Sequence, residues 1–232
     1  TALFAQALLA AGALTGRFIF ISSLSVCGPL CEDSGRPICA ADVPQPNTAY
    51  GRSKLEAEQR LAQIDGLDYI VLRPTGVYGP REKDYAMMAD SIRRHVDFSV
   101  GFKPQVLTFI YVKDLVAAAF LALTRGTSGK SYFLTDGKEY SRRDFSLLIQ
   151  KRLGVRFVVH ITAPLCVLWL VSRAAEWIAA RRGTLSTLNS DKYRIMKQRN
   201  WRCDITPAVE ELGYKPAYDL RRGVEETFSP KA

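Results

Sequence analysis

The 232-residue chain contains no C-x-x-C pair, and its two histidines, His95 and His160, stand far apart. Metal-ligand spacing is missing, so no metal site is expected. The five cysteines, Cys27, Cys31, Cys39, Cys166 and Cys203, are odd in number and form no dense framework. That pattern fits a reducing compartment and a cytoplasmic location better than secretion, although a disulfide among the first three stays open. Residues 2–14 are apolar and alanine-rich but have no basic region ahead of them, so they do not read as a secretory signal. No apolar run is long enough to span a bilayer: residues 161–171 supply eleven uncharged residues, against the roughly 20 required. Internal repeats and low-complexity segments are absent as well.

What is present is the composition of a folded domain. Apolar residues make up 47% and charged residues 24%, with ordinary glycine and proline counts, which excludes disorder and collagen-like structure. The net charge of +9 is uneven: residues 151–232 hold 15 Lys and Arg against 8 Asp and Glu. A basic third suits nucleic acid, an acidic membrane surface or an anionic substrate, and equally a solvated cationic face. No nucleic-acid motif accompanies it, so no nucleic-acid partner is expected.

Read along the chain, residues 2–14 predict a helix with Leu8 and Leu9 facing a core. Residues 18–21 predict a strand buried on both faces, as in a parallel sheet. A proline-rich loop leads to a helix over 48–64, then to a strand over 69–73 stopped by Pro74. Helices are expected over 85–94, 113–124 and 141–153, and strands over 106–112, 131–135 and 155–161. The segment 161–183 reads as a packed helix, and with its arginines and tryptophans also as one lying on a membrane. Short helices near Asp191, Pro207 and Leu220 complete an α/β order of βαβ units.

The chemistry centres on Tyr50-Gly-Arg-Ser-Lys54. Positions i and i+4 share a helix face, so phenol and ammonium project together, and a fixed positive charge favours the phenolate that acid/base work requires. Upstream, Ser22-Ser23-Leu24-Ser25 places hydroxyls at the carboxyl edge of a parallel sheet, where open α/β sheets bind ligands. Downstream, Leu72-Arg-Pro-Thr-Gly-Val-Tyr-Gly-Pro-Arg81 supplies a second turn at that edge. Phe109-Ile-Tyr-Val-Lys-Asp114, Leu212-Gly-Tyr-Lys-Pro216 and Gly223-Val-Glu-Glu-Thr227 follow in order.

With these segments in this order, the chain resembles the extended short-chain dehydrogenase/reductase family, its NAD-dependent epimerases and dehydratases and its steroid-dehydrogenase and dihydroflavonol-reductase branch. The resemblance implies a Rossmann-like doubly wound parallel sheet with a smaller C-terminal α/β substrate-binding subdomain. It divides the chain into a dinucleotide-binding remnant over 1–80, a substrate-subdomain insertion over 81–105, a return to the first domain over 106–140, and mainly substrate subdomain over 141–232. It implies Tyr50 as catalytic acid/base, Lys54 as holder of the nicotinamide ribose, and Ser23 as the hydroxyl on the substrate oxygen, with Ser22 its competitor. Cofactor contacts are expected from Ser22, Tyr50, Lys54, Pro74, Thr75, Gly76 and Val77, and substrate contacts from Ser25, Tyr78 and Arg81. The cofactor is NAD or NADP, with NAD preferred. The partner is a small molecule, a nucleotide sugar or a steroid-like or other hydrophobic alcohol or ketone. A homodimer through the Tyr50 helix and a peripheral membrane contact through 161–183 are further expectations. Arg199, Arg202, Arg221 and Arg222 form either a phosphate-binding set or a solvated face.

The sequence departs from the family in three places. Cys27 replaces the usual Tyr before the turn glycine and reads as a packing residue, with no His near it to make it a nucleophile. The Asp-Glu pair of the dehydratases is Leu24-Ser25 here, which leaves oxidation, reduction or epimerisation. No G-x-G-x-x-G or G-x-x-G-x-x-G occurs, so the chain is expected to lack the first strands and the Gly-rich phosphate seat of its sheet. The alternative reading is a non-catalytic nucleotide-binding or interaction protein of the same fold.

Overall fold

A computed structural model describes residues 1–181, 184 and 189–228. In chain order the elements are α1 (Ala2–Ala10), β1 (Phe18–Ile21), α2 (Ala49–Leu61), β2 (Tyr69–Pro74), β3 (Gly76–Tyr78), α3 (Lys83–Arg93) and β4 (Val96–Val100). These are followed by β5 (Val106–Leu107), β6 (Phe109–Tyr111), α4 (Val112–Ala122), β7 (Ser131–Leu134), β8 (Tyr140–Ser141), α5 (Asp144–Leu153), β9 (Val159–Ala163), α6 (Leu165–Arg181), α7 (Ser190–Lys197), α8 (Thr206–Leu212) and α9 (Leu220–Thr227).

Strand alternation fixes how the layers sit. β1, β2 and β7 form a parallel sheet in that order, with Phe18 opposite Tyr69 and Val71 opposite Ser131. On β2, Ile70 and Leu72 turn to one face and pack with Ala118, Ala122, Leu212 and Tyr214 of the α4 and α8 side. Val71 turns to the other face with Phe20, Leu61 and Ala5, under α1 and α2. Helices on both faces of a parallel sheet define the doubly wound α/β arrangement. The alanines of α4 are what bring that helix close to the sheet.

β3 continues past the sheet and pairs in parallel with β6, Gly76 opposite Phe109. Around this pair, Tyr78, Phe109, Tyr111, Phe145 and Ile149 form a second core with Ile92 of α3 and Val224 of α9. The rings of Tyr85 and Phe145 stack at 4.4 Å. A separate parallel pair joins β4 to β9, and β5 pairs antiparallel with β8.

Several expectations are corrected. α1 stops at Ala10 because the chain turns at Gly12, whose φ is +63°. β1 packs on both faces, Ile19 against the α4 side and Phe20 with Leu61 and Val71, but Ile21 at its carboxyl end is exposed. The strand expected over 106–112 divides at Thr108, whose hydroxyl donates to the Trp201 carbonyl at 2.5 Å. The strand expected over 155–161 lies at Val159–Ala163 instead. β4 was not expected, because its second residue is Asp97. That carboxylate is buried by hydrogen bonds from Ser146 Oγ at 2.8 Å and His160 Nδ1 at 2.9 Å.

Candidate active site

The site starts where β1 ends. Ser22 keeps the inward parity of Phe20 and is buried, its hydroxyl donating to Glu58 of α2. Glu58 in turn takes two hydrogen bonds from Arg73 of β2, at 2.6 and 3.2 Å, and the Arg73 guanidinium lies 5.6 Å from the Phe133 ring centre. The Ser22 proton is therefore spent on a buried network. Ser23 is the first residue out of the strand. Its Oγ accepts from the Ser25 amide and donates to Ser25 Oγ, both at 3.1 Å.

α2 begins at Thr48, whose Oγ1 accepts from the Gly51 amide at 2.9 Å. Asp191 of α7 accepts from the amides of Ala49 at 2.7 Å and Tyr50 at 3.4 Å, adding a carboxylate where the helix dipole is positive. Gly51 lets this end of the helix press on the serine turn: a Cβ there would overlap the Ser25 carbonyl oxygen. Tyr50, next to Gly51, is 48% exposed. Lys54 lies one turn on, its ammonium 5.7 Å from the Tyr50 ring centre and 5.1 Å from that of Phe20. Lys54 Nζ donates to the carbonyl of Ile21, the last residue of β1, at 2.8 Å. Burial lowers the Lys54 pKa from its ordinary value, and the Glu58 charge partly offsets this.

Beside Ser23 opens a cavity of about 350 Å³. Ser25, Thr75 and Gly76 also line it, and most of its wall is apolar: Leu24, Met88, Phe98, Phe145, Met196 and Trp201. Its polar groups are largely engaged. Gln105 Nε2 donates to the carbonyls of Met196 at 2.7 Å and Gln198 at 2.8 Å. The Arg142 fork is taken by the carbonyls of Gly101 and Lys103, which leaves its buried Nε without a partner. Tyr50 is not part of this wall; its half-exposed ring stands at the start of α2.

The other expected residues separate clearly. Pro74 closes β2 opposite Leu134, Thr75 Oγ1 donates to the Thr108 carbonyl at 2.9 Å, and half-buried Val77 packs on the α4 core. Tyr78 is a correction: it is 1% exposed, and its hydroxyl donates to the Asp219 carbonyl at 3.2 Å. Extended β3 turns this side chain into the second core, and it does not line the cavity beside Ser23. Arg81 is exposed and lines a different cleft, with Pro80 and Asp90. Arg199 pairs with Asp33 at 3.1 Å and Arg202 with Glu139 at 2.9 Å, while Arg222 stacks on Tyr218 at 4.4 Å. Three of the four arginines thus have partners of their own. Cys27 is fully buried, and burial pushes its thiol up to about 11, so it packs and does not attack. All five cysteines are free.

Sequence reasoning missed Glu58, Asp97, Gln105, Arg142, Asp191 and Trp201. Only Glu58 carried a local signal, since Tyr50, Lys54 and Glu58 continue one i, i+4 stripe. The rest reach the site through tertiary contacts. Among the described residues, no group of three or more His, Cys, Asp or Glu is placed to hold a metal ion, and no helix is long and apolar enough to cross a membrane.

A parallel sheet with helices on both faces defines a doubly wound α/β protein, with Ser23, Tyr50 and Lys54 grouped about the carboxyl end of β1. The model of the NAD dependent epimerase/dehydratase family matches residues 2–134, and the chain belongs to that family. It is 31% identical over 156 residues to a GDP-6-deoxy-D-mannose reductase of Pseudomonas aeruginosa, covering 62% of this chain and 51% of that protein. It is 26% identical over 192 residues to a sterol-4-alpha-carboxylate 3-dehydrogenase of Schizosaccharomyces pombe, covering 78% and 56%. In fold it is similar to the structure of RMD from Pseudomonas aeruginosa complexed with NADPH, with a TM-score of 0.73 and 22% identity over 98% of this chain and 69% of that one. The chain thus spans between half and three-fifths of these two curated relatives.

Proposed function

We propose that the protein is an NAD(P)-dependent oxidoreductase or epimerase acting on a secondary alcohol or ketone, with Tyr50 as acid/base. The observation that carries this reading is the Lys54 ammonium, held between the Ile21 carbonyl and the Tyr50 ring, on a helix whose Gly51 presses on the turn bearing the Ser23 and Ser25 hydroxyls. An ammonium has three protons, and Ile21 takes one; the remaining donors suit the paired hydroxyls of a nicotinamide ribose. Tyr50, Lys54 and the Pro74–Val77 turn would hold that end of the cofactor. Bound nicotinamide supplies hydride exchange with the substrate carbon.

The chain's own residues supply the proton and the orientation. Tyr50 takes the hydroxyl proton on oxidation and returns it to the oxygen on reduction. Ser23, whose proton goes to Ser25 in this structure, redirects it to the substrate oxygen. Leu24 is fully buried and Ser25 is bonded to Ser23, so no carboxyl pair stands there for water elimination. The cavity wall favours an apolar alcohol or ketone over a nucleotide sugar. Its one guanidinium fork is tied to backbone carbonyls, and its other groups bring no positive charge to a diphosphate. Five unpaired cysteines support a reducing, cytoplasmic setting.

Tyr50→Phe tests the reading. Nicotinamide binding is expected to persist while turnover of apolar ketones falls about 10²–10⁴-fold, the range for a general acid/base. Retained turnover overturns the assignment. Cofactor binding without turnover of any alcohol, ketone or sugar by the unsubstituted protein favours a non-catalytic nucleotide-binding role.

A further inference from the structure

Helix α6 inverts the usual arrangement of a surface helix, which turns its apolar stripe inward and its polar face to water. Its inward arc is Leu165, Leu168, Ser172, Ala175 and Ala179, small or polar beyond the two leucines of its first turn. Its one carboxylate, Glu176, also turns back, accepting from the Ser190 amide at 2.6 Å and hydroxyl at 2.8 Å. The outward arc carries Trp169, Leu170 and Trp177, exposed by 49%, 59% and 57%, together with Val167, Val171 and Ile178.

We infer that this face of α6 docks on an anionic lipid surface. Charge decides the occupant. The outward arc bears Arg173, which pairs with Glu176 at 3.5 Å, and Arg181, whose guanidinium sits 3.8 Å from the Trp177 ring centre with no carboxylate paired to it among the described residues. Residues 151–232 carry 15 basic against 8 acidic residues. A second copy of α6 would bring Arg181 towards arginine, with Glu176 already shared between Arg173 and Ser190. Lipid phosphates answer Arg181, and indole rings beside arginine suit the boundary between headgroup and acyl chain. The helix has 17 residues, about 25 Å at 1.5 Å per residue, so it lies along the surface and does not cross it.

The neighbouring strands extend the apolar surface. Phe98 of β4, 63% exposed, lines the cavity beside Ser23 and pairs in register with Ile161 of β9, which is 42% exposed. β9 then leads through Pro164 into α6. Exposed apolar side chains therefore mark the cavity rim, the strand and the helix that follows it, and a docked bilayer meets the cavity at that rim.

The test is cosedimentation of the full chain with vesicles of phosphatidylcholine, and of an equal mixture with phosphatidylglycerol. Partition into the mixed vesicles is expected to exceed that into neutral ones about tenfold, given two surface arginines. Brominated acyl chains are expected to quench tryptophan fluorescence in the unsubstituted protein. Trp169→Gln/Trp177→Gln is expected to lose that quenching and about tenfold in partition, with an unchanged melting temperature. No vesicle binding, binding without quenching, or an equally bound double variant each overturns the inference. So does a concentration-dependent dimer that the double variant dissolves, which would assign the face to a second copy. Vesicle binding is read without substrate or nicotinamide, so it stands or falls apart from the catalytic reading.

Discussion

Beneath the β1–α2 edge, three polar side chains, Ser22 just after β1, Glu58 of α2 and Arg73 of β2, are buried and joined through Glu58. The cavity next to Ser23 is walled instead by Met88, Phe98, Phe145, Met196 and Trp201, with its polar groups pinned to backbone carbonyls. In the first region, bonding directions fix where α2 and β2 stand, and hence where Lys54 and Tyr50 point. In the second, shape does the work, and an apolar wall tolerates exchange of one side chain for another of similar volume. The contrast separates chemistry, which needs geometry, from selectivity, which needs a surface.

Breaking the polar network is the most damaging way to test this. Glu58→Ala leaves a buried guanidinium unpaired and is expected to cost about 3–5 kcal/mol, read by denaturant unfolding. A loss below about 1 kcal/mol would mean that the network does not hold α2 against β2. Next comes Lys54→Met, expected to lower turnover about 10²-fold while leaving the fold intact. The lowered Lys54 pKa gives the sign with pH: the ammonium is lost below the alkaline limit of a free lysine, so kcat/KM falls on that side as pH rises. Lys54→Arg keeps the charge and is expected to remove that alkaline limb even at reduced rate. Thr48→Ala removes the hydroxyl cap of α2 and is expected to cost about 1 kcal/mol by thermal melting. Smallest is Phe98→Ser on the cavity rim, expected to change stability by no more than about 0.5 kcal/mol. It is expected to raise KM for apolar ketones with kcat unchanged, and a matching fall in kcat would dissolve the distinction between the two regions.

Of the polar region, the helix and strand that carry it were legible in the sequence because their signals are local, whereas the Ser22, Glu58 and Arg73 network was not. The Tyr50, Lys54 spacing needs only the helical repeat, and the strand bearing Ile19 and Phe20 needs only its apolar run. The cavity was not legible, because Phe98, Arg142 and Trp201 come from separated elements and no short-range pattern links them. Tyr78 shows the same limit in reverse. Among Pro74, Gly76, Gly79 and Pro80 it reads as part of a turn, yet long-range pairing of Gly76–Tyr78 with Phe109–Tyr111 makes a strand and sends the ring inward. Asp97 hid β4 because its burial depends on Ser146 and His160, 49 and 63 residues away.

The eight residues of Ser190–Lys197 have a double attachment. Asp191 at one end grips the amides of Ala49 and Tyr50, while Ile195 and Met196, little more than a turn later, form part of the cavity wall. A single short lever therefore joins the space a guest fills to the backbone that aims the phenol. A guest that pushes Ile195 or Met196 outward is expected to shift the first turn of α2 as well, and with it Tyr50, the proposed acid/base, without touching it.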